Sequence, residues 1–296
     1  MPRNKILFTM RKLILILMLL AMLPLQMLAQ SDTLFYKQIE LYPNGDYPQV
    51  NGHEGEPNDI WYPKQPFMRI YPADAANNTG RVVVCLPGGA YAFVSIQNEG
   101  YRWAPYFHER GITLAVVGYR LPYGNDLIPQ GDVYQAFRYL RDNAEEFGIN
   151  PDDIGVMGFS AGGHLASTVA THAIPELRPK FQILFYPVIT MTEKTHGGSR
   201  QNLIGAEPSE SFIQLYSNEM QVDSLTPPAI MLLSDDDDIV PPVNSTLYYN
   251  ALKDHDIPAT MHIYPSGQHG WGYQSDQFKY REAMFNDLDL WLKSLE

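Results

Sequence analysis

Residues 154–170 read IGVMGFSAGGHLASTVA and place a serine between two glycines where a predicted strand passes into a predicted helix. The run before Ser160 is short and apolar, as in a buried strand, and the run after it has the composition of a helix. Gly158 and Gly162 are needed because so sharp a turn brings neighbouring backbone too close for a Cβ. This G-x-S-x-G pattern directs the serine hydroxyl out of the sheet, beside the amino end of the helix, so Ser160 is the candidate nucleophile.

Strands and helices alternate on both sides of this turn. Short apolar runs predict strands at 38–42, 67–71, 81–86, 112–117, 154–159, 181–186, 229–233 and 259–264, and helical spacing predicts helices at 132–147, 162–171, 243–252 and 278–295. The fold class is therefore α/β, with a mostly parallel central sheet and helices on both faces. Residues 189–226 interrupt the alternation with polar sequence around one predicted helix at 211–216, and we expect this small insertion to form a lid or substrate wall near the active site.

A serine hydroxyl needs a base to become a nucleophile, and the base needs an acid to orient it. In this type of turn the chain order is serine, then acid, then histidine. Of the eight histidines, His255, His262 and His269 come late enough in the chain. His255 has the surroundings of a solvated helix end and His262 lies within a predicted strand, whereas His269 lies in a glycine-rich loop just after a strand. We therefore predict His269 as the base.

The acid is expected in the loop after the strand at 229–233, where four aspartates follow one another from Asp235 to Asp238. The spacing to Val240 and Pro241 favours Asp237. Two alternatives are a calcium-binding loop and a solvated turn. The run lacks the alternating ligand spacing and the closing glutamate of a calcium loop, so no metal site is predicted.

A tetrahedral oxyanion needs N–H donors in addition to the one at the start of the helix after Ser160. Residues 86–91 read LPGGAY, follow a predicted strand and resemble the H-G-G-G loop that supplies such donors. The alternative is an ordinary Pro-Gly-Gly turn.

The composition restricts the partners of the chain. The 296 residues are 45% hydrophobic, enough for a large core, and 33 acidic against 21 basic residues give a net charge of −12. Such an acidic balance disfavours nucleic acid and anionic membranes as partners and suits a neutral substrate. Cys85 is the single cysteine and lies in an apolar run, so it predicts a buried thiol and no intramolecular disulfide.

The first 29 residues have the order of a secretory signal peptide: basic residues, an apolar run at 13–23, and a small-residue break near Ala29. A retained membrane anchor is the alternative, but the run is short and Pro24 interrupts it. We expect a signal peptide at 1–29, a catalytic domain at 30–296, and a periplasmic or secreted protein without membrane contact after cleavage. The oligomeric state is left open.

Together these residues resemble the α/β-hydrolase superfamily and, within it, the acetylxylan esterase and feruloyl esterase-like branch of carbohydrate esterases. The resemblance covers nearly all of residues 81–295, with markers at 87–91, 118–122, 158–164, 199–205, 216–219, 236–241 and 265–270. It implies a triad of Ser160, Asp237 and His269. It also implies oxyanion donors at Gly89, Ala90 and Ala161, although Pro87 stands where the H-G-G-G form has histidine.

The resemblance implies a serine ester hydrolase that needs no cofactor and removes short acyl groups, acetyl first, from xylan or its oligosaccharides. The alternatives are a feruloyl esterase, a peptidase of the prolyl-oligopeptidase type and, from a different class, a non-catalytic sugar-binding relative. Tyr91, Trp103 and Trp271 are expected either to stack on a sugar ring or to belong to the core. His164 is expected to be a packed helix residue and not a second base.

Overall fold

The computed structural model describes residues 34–46, 61–273 and 278–295. The chain divides into two units, Met1–Phe35 and Tyr36–Glu296, and the second unit contains every element considered below. The expected signal peptide at 1–29 lies outside the described residues, so export stays a prediction. In the described part, no helix combines the length and the apolar character needed to cross a bilayer.

The described residues of the second unit form one eight-stranded sheet. Its strands are β1 (Lys37–Glu40), β2 (Phe67–Tyr71), β3 (Val82–Leu86), β4 (Thr113–Gly118), β5 (Ile154–Phe159), β6 (Gln182–Phe185), β7 (Ala229–Ser234) and β8 (Ala259–Tyr264). Their order is β1-β2-β4-β3-β5-β6-β7-β8, antiparallel at β1–β2 and β2–β4 and parallel from β4 onward. The predicted parallel sheet is confirmed, and β2, β5 and β8 have the predicted bounds.

Helices connect the strands and fill the insertion. They are α1 (Ala104–Glu109), α2 (Leu127–Asp142), α3 (Ala144–Phe147), α4 (Ala161–His172), α5 (Gly197–Ile204), α6 (Glu210–Tyr216), α7 (Val243–Asp254) and α8 (Arg281–Lys293). The helix predicted at 132–147 begins earlier, since Pro129 is tolerated in a first helical turn, and it is interrupted at Asn143. The sequence did not predict α1, which has six residues, or α5, in which Gly197 and Gly198 hide any helical pattern.

The helices cover both faces of the sheet, as the alternation of side chains along β5 shows. On one face, a Cβ on Gly158 would lie 2.2 Å from the carbonyl oxygen of Gly162, so α4 packs directly against the strand. On the other face, the ring of Phe159 lies 5.7 Å from that of Trp103, which in turn contacts Phe285 of α8. The predicted α/β class with helices on two faces is therefore confirmed.

Candidate active site

Ser160 occupies a strained turn at the carboxyl end of β5. Its φ of +52° is in a region that residues with a Cβ seldom adopt, and the turn leads directly into α4. A Cβ on Gly162 would lie 2.1 Å from the carbonyl oxygen of Leu86 in the neighbouring strand. The glycines of the motif are thus required by close backbone contacts on both sides of the serine.

Ser160, His269 and Asp237 form one hydrogen-bonded line. The Oγ of Ser160 lies 2.8 Å from Nε2 of His269, and Nδ1 of His269 lies 2.7 Å from Oδ2 of Asp237. The other carboxylate oxygen, Oδ1, accepts from the backbone N–H groups of Ile239 and Val240 at 3.0 and 2.8 Å. The two backbone donors fix the carboxylate, and the carboxylate orients the imidazole toward the serine.

The other three aspartates of the run at 235–238 differ from Asp237 in their exposure to solvent. Asp235, Asp236 and Asp238 are exposed, whereas Asp237 is buried. Asp236 accepts from the backbone N–H of Gln268 at 2.8 Å and so holds the loop that carries His269. Across the described residues, no group of three or more His, Cys, Asp or Glu side chains has the arrangement of a metal site.

The other two late histidines lie elsewhere. His255 is exposed at the end of α7, where it donates to the carbonyl oxygen of Ala251. His262 lies on β8 and pairs with Asp287 at 3.3 Å. Neither contacts Ser160, so of the three candidates the structure brings only His269 to the serine.

The oxyanion loop, residues 87–91, has an unusual backbone. Gly89, Ala90 and Tyr91 all have positive φ, at +130°, +56° and +58°. The N–H of Gly88 is used, since it donates to Glu99 at 2.8 Å. By contrast, no residue in the described part of the chain accepts from the N–H groups of Gly89, Ala90 or Ala161. These three groups, which the sequence analysis named as donors, stay available to an oxyanion beside Ser160.

Contacts from two further segments hold this loop in place. The hydroxyl of Tyr119, after β4, donates to the carbonyl oxygen of Pro87 at 2.6 Å. Asn202 of α5 donates from Nδ2 to the carbonyl oxygen of Ala90 at 2.8 Å. The marker stretches at 118–122 and 199–205 therefore have a structural role, because each supplies a donor to the loop.

Glu99 is a buried carboxyl that connects the oxyanion loop with the loop that carries His269. Its Oε2 accepts from Gly88, and its Oε1 accepts from the hydroxyl of Tyr186 at 2.8 Å. The same hydroxyl accepts from the N–H of Gly272, and the Tyr186 ring contacts His269 edge to face at 4.8 Å. Burial raises the pKa of Glu99, while the hydrogen bonds from Tyr186 and Gly88 act in the opposite direction.

Tyr91 does not face a substrate. Its side chain is buried, and its hydroxyl lies 2.9 Å from Nδ1 of His164, whose Nε2 lies 2.8 Å from the carbonyl oxygen of Tyr216. A carbonyl oxygen can only accept, so Nε2 carries the proton and Nδ1 accepts from the tyrosine hydroxyl. His164 is thus a packed helix residue, and it connects the oxyanion loop to α6.

Because His164 is buried as a neutral ring, we expect the folded protein to lose stability in acid. Burial lowers its pKa from 6.5 to about 4, so between these values the unfolded chain binds a proton that the folded chain does not. The contribution of neutral His164 to the free energy of unfolding is complete above pH 6.5. This free energy falls by about 3 kcal/mol as the pH drops to 4. Urea unfolding between pH 4 and 7 should show this slope in the wild type and a smaller one in His164→Gln. An equal slope in both proteins would contradict the assignment, and exposed His255→Gln serves as the control.

Trp103 and Trp271 belong to the core, so of the two alternatives stated for these rings the sugar-stacking one is wrong. Trp103 is 0% exposed and packs against Phe159, Phe185 and other rings. Trp271 is 2% exposed; it stacks on Phe278 at 3.9 Å and donates to Ser234 at 3.1 Å. A ring with both faces against protein has no face for a sugar.

A cavity of about 240 Å³ opens beside the serine. Its lining residues are Gly89, Ala90, Phe93, Ser95, Glu99, Ser160, His196, Ile239, His269 and Gly270. Phe93, Glu99, His196 and Ile239 were not predicted as site residues from the sequence. Trp61, which is 37% exposed and lies 6.0 Å from Phe93, ring to ring, was not predicted either.

A second, larger cavity of about 430 Å³ lies at the amino ends of the parallel strands. Its lining includes Arg81 and Ile112, the residues that precede β3 and β4. Because β3 and β5 are parallel, the amino ends of the strands lie opposite the carboxyl ends, where Ser160 is found. The larger cavity therefore has no part in chemistry at the serine.

Comparison with known proteins gives consistent matches. The BD-FAE family matches residues 68–252. An acetylxylan esterase of Xylanibacter ruminicola is 46% identical over 224 residues, which cover 74% of this chain and 46% of that protein. Endo-1,4-beta-xylanase B of Butyrivibrio fibrisolvens is 34% identical over 211 residues, covering 66% of this chain and 33% of that protein. The chain thus spans less than half the length of these two relatives.

The same agreement holds for solved structures. The acetyl ester-xyloside bifunctional hydrolase of Caldicellulosiruptor lactoaceticus superposes with a TM-score of 0.77 at 33% identity. That match covers 88% of this chain and 96% of the other. The α/β-hydrolase MGS-M1 from a deep-sea metagenome, at 24% identity and a TM-score of 0.67, has the same fold.

Proposed function

The chain belongs to the BD-FAE family of α/β-hydrolases, and from this membership and the geometry at Ser160 we propose that it is a serine ester hydrolase that removes acetyl groups from xylan or its oligosaccharides. The observation that carries the proposal is the hydrogen-bonded line from Ser160 through His269 to Asp237. The substrate class is supported by the relatives, which include an acetylxylan esterase and a xylanase.

The line of three side chains accounts for two-step acyl transfer. Ser160 Oγ attacks the ester carbonyl while Nε2 of His269 takes the hydroxyl proton, and Asp237 stabilises the imidazolium that forms. The protonated His269 then donates to the leaving sugar oxygen, which leaves an acyl group on Ser160. Water activated by His269 attacks this acyl group and releases the acid and the free serine.

The charge that develops on the carbonyl oxygen needs preorganised donors. The N–H of Ala161 lies at the start of α4, where the helix dipole favours negative charge, and Gly89 and Ala90 line the cavity that contains Ser160. None of the three N–H groups has to break a bond with a described residue before it can bind the oxyanion. Because these donors are already available, the protein needs less rearrangement of its hydrogen bonds when the oxyanion forms.

The cavity and the charge of the chain suit an acetylated sugar. Phe93 and Ile239 provide apolar surface for a short acyl group, and the cavity volume of about 240 Å³ is small. The excess of acidic residues carries no penalty for a neutral polysaccharide, whereas it would repel an anionic one.

Acetate release from acetylated xylo-oligosaccharides tests the proposal, with methyl ferulate and p-nitrophenyl acetate as comparison substrates. We expect acetate to be released from the sugar and p-nitrophenyl acetate to be cleaved. Turnover of methyl ferulate without acetate release would instead favour a feruloyl esterase. No turnover of any of the three esters would favour a non-catalytic sugar-binding protein.

A further inference from the structure

The polar side chains of the active-site cavity differ in how far their hydrogen-bonding groups are already used. They are Ser95, Glu99, Ser160, His196 and His269. Ser160 and His269 bond to each other, and both oxygens of Glu99 accept hydrogen bonds from the protein, with Ser95 as a further partner. His196 is the member of this set that still has a donor to offer.

The protonation state of His196 follows from its contacts. Its Nδ1 caps the start of α5 by accepting from the backbone N–H of Ser199 at 3.3 Å, and it lies 2.9 Å from the Ser199 hydroxyl. A backbone N–H can only donate, so Nδ1 holds a lone pair and the proton of the neutral ring is on Nε2. Within the described residues, no acceptor is found for Nε2.

The electrostatic surroundings favour the neutral form of the His196 ring. Burial lowers the pKa of His196, and the neighbouring His269 acts in the same direction, while Asp237 opposes them. A neutral imidazole offers one N–H to a ligand without adding a positive charge next to the base. His196 can therefore contact a substrate without disturbing proton transfer at His269.

The chemistry of the substrate indicates what this donor binds. In an acetylated sugar, the oxyanion donors take the acetyl carbonyl oxygen, and the acetyl methyl group needs no hydrogen bond. The oxygens that remain belong to the sugar. His196 is half-buried, and a donor that a ligand lacking those oxygens leaves without a partner discriminates between substrates.

We propose that His196 is a specificity residue that donates its Nε2–H to a sugar oxygen beside the scissile ester. The assignment rests on the proposed deacetylase function. Helix α5 carries this residue at its amino end and, through Asn202, also holds the carbonyl oxygen of Ala90. One short helix thus sets the distance between the sugar contact and the oxyanion loop.

The test compares acetylated xylotriose with p-nitrophenyl acetate, which has the same acyl group but no sugar. In His196→Ala, kcat/KM for acetylated xylotriose should fall about tenfold, mostly through KM, and that for p-nitrophenyl acetate less than threefold. His196→Gln, whose amide can accept from Ser199 and donate into the cavity, should recover part of the loss. Unacetylated xylotriose should also inhibit aryl ester hydrolysis more weakly in His196→Ala.

The outcomes separate this assignment from the proposed function. Equal losses on the two substrates, or no loss on either, would overturn the role of His196 while leaving the deacetylase in place. A wild type that cleaves the aryl ester but releases no acetate from the sugar would overturn the proposed substrate and the His196 contact with it. His255→Ala, at an exposed histidine on α7, controls for nonspecific effects, and melting temperatures verify folding.

Discussion

Ser160→Ala should lower kcat for ester hydrolysis by about 10⁵- to 10⁶-fold, because it removes the atom that attacks the carbonyl. The variant keeps the Cβ that already fits the turn at φ +52°, so we expect the strand, the turn and α4 to be retained. The oxyanion donors would still bind substrate, and a residual rate of about 10³- to 10⁴-fold over water is expected to persist.

Initial rates on p-nitrophenyl acetate, together with thermal unfolding, test this expectation. Ser224→Ala is a matched control, since Ser224 is exposed in a turn of the insertion and lines neither cavity. A Ser160→Ala protein that is folded and retains more than about one hundredth of the wild-type rate would exclude Ser160 as the nucleophile.

The parts of the site that the sequence predicts are those with a local physical requirement. Ser160 is identifiable because its turn demands glycines at close backbone contacts, and these glycines lie beside it in the chain. Asp237 and His269 each follow a strand whose apolar run is easy to identify, and parallel strands bring their carboxyl ends to one edge.

The parts that the sequence did not predict depend on contacts between distant segments. Glu99 acts on the site only because folding brings it to Gly88 and Tyr186, and nothing near it in the chain indicates this. His196 precedes α5, a helix without an apolar pattern. The sequence therefore indicated neither this helix nor the position of His196 in the cavity. Residue type alone was also a poor guide for Trp103, because an indole ring serves a core as well as it serves a sugar site.

Asp237→Asn should lower kcat by about 10⁴-fold, although it changes one atom and leaves the shape of the side chain intact. The N–H groups of Ile239 and Val240 both donate to Oδ1, so the amide oxygen of an asparagine has to take that position. The amide nitrogen must then face Nδ1 of His269 and donate to it. That contact favours the tautomer with its proton on Nε2, where the ring has no lone pair to accept the proton of Ser160.

The matched control for this change is Asp236→Asn. Asp236 accepts from the backbone N–H of Gln268 through one oxygen, and an asparagine retains this interaction. The kcat of Asp236→Asn should therefore change less than about threefold. Both variants are measured with p-nitrophenyl acetate at saturating concentration, so that kcat is read separately from KM. A loss below tenfold in Asp237→Asn would show that another group orients His269, and a large loss in Asp236→Asn would assign that role to Asp236. The backbone donors at Oδ1 thus make the tautomer of His269 depend on a single oxygen of Asp237, and this explains why one buried aspartate in a run of four can be decisive for the reaction.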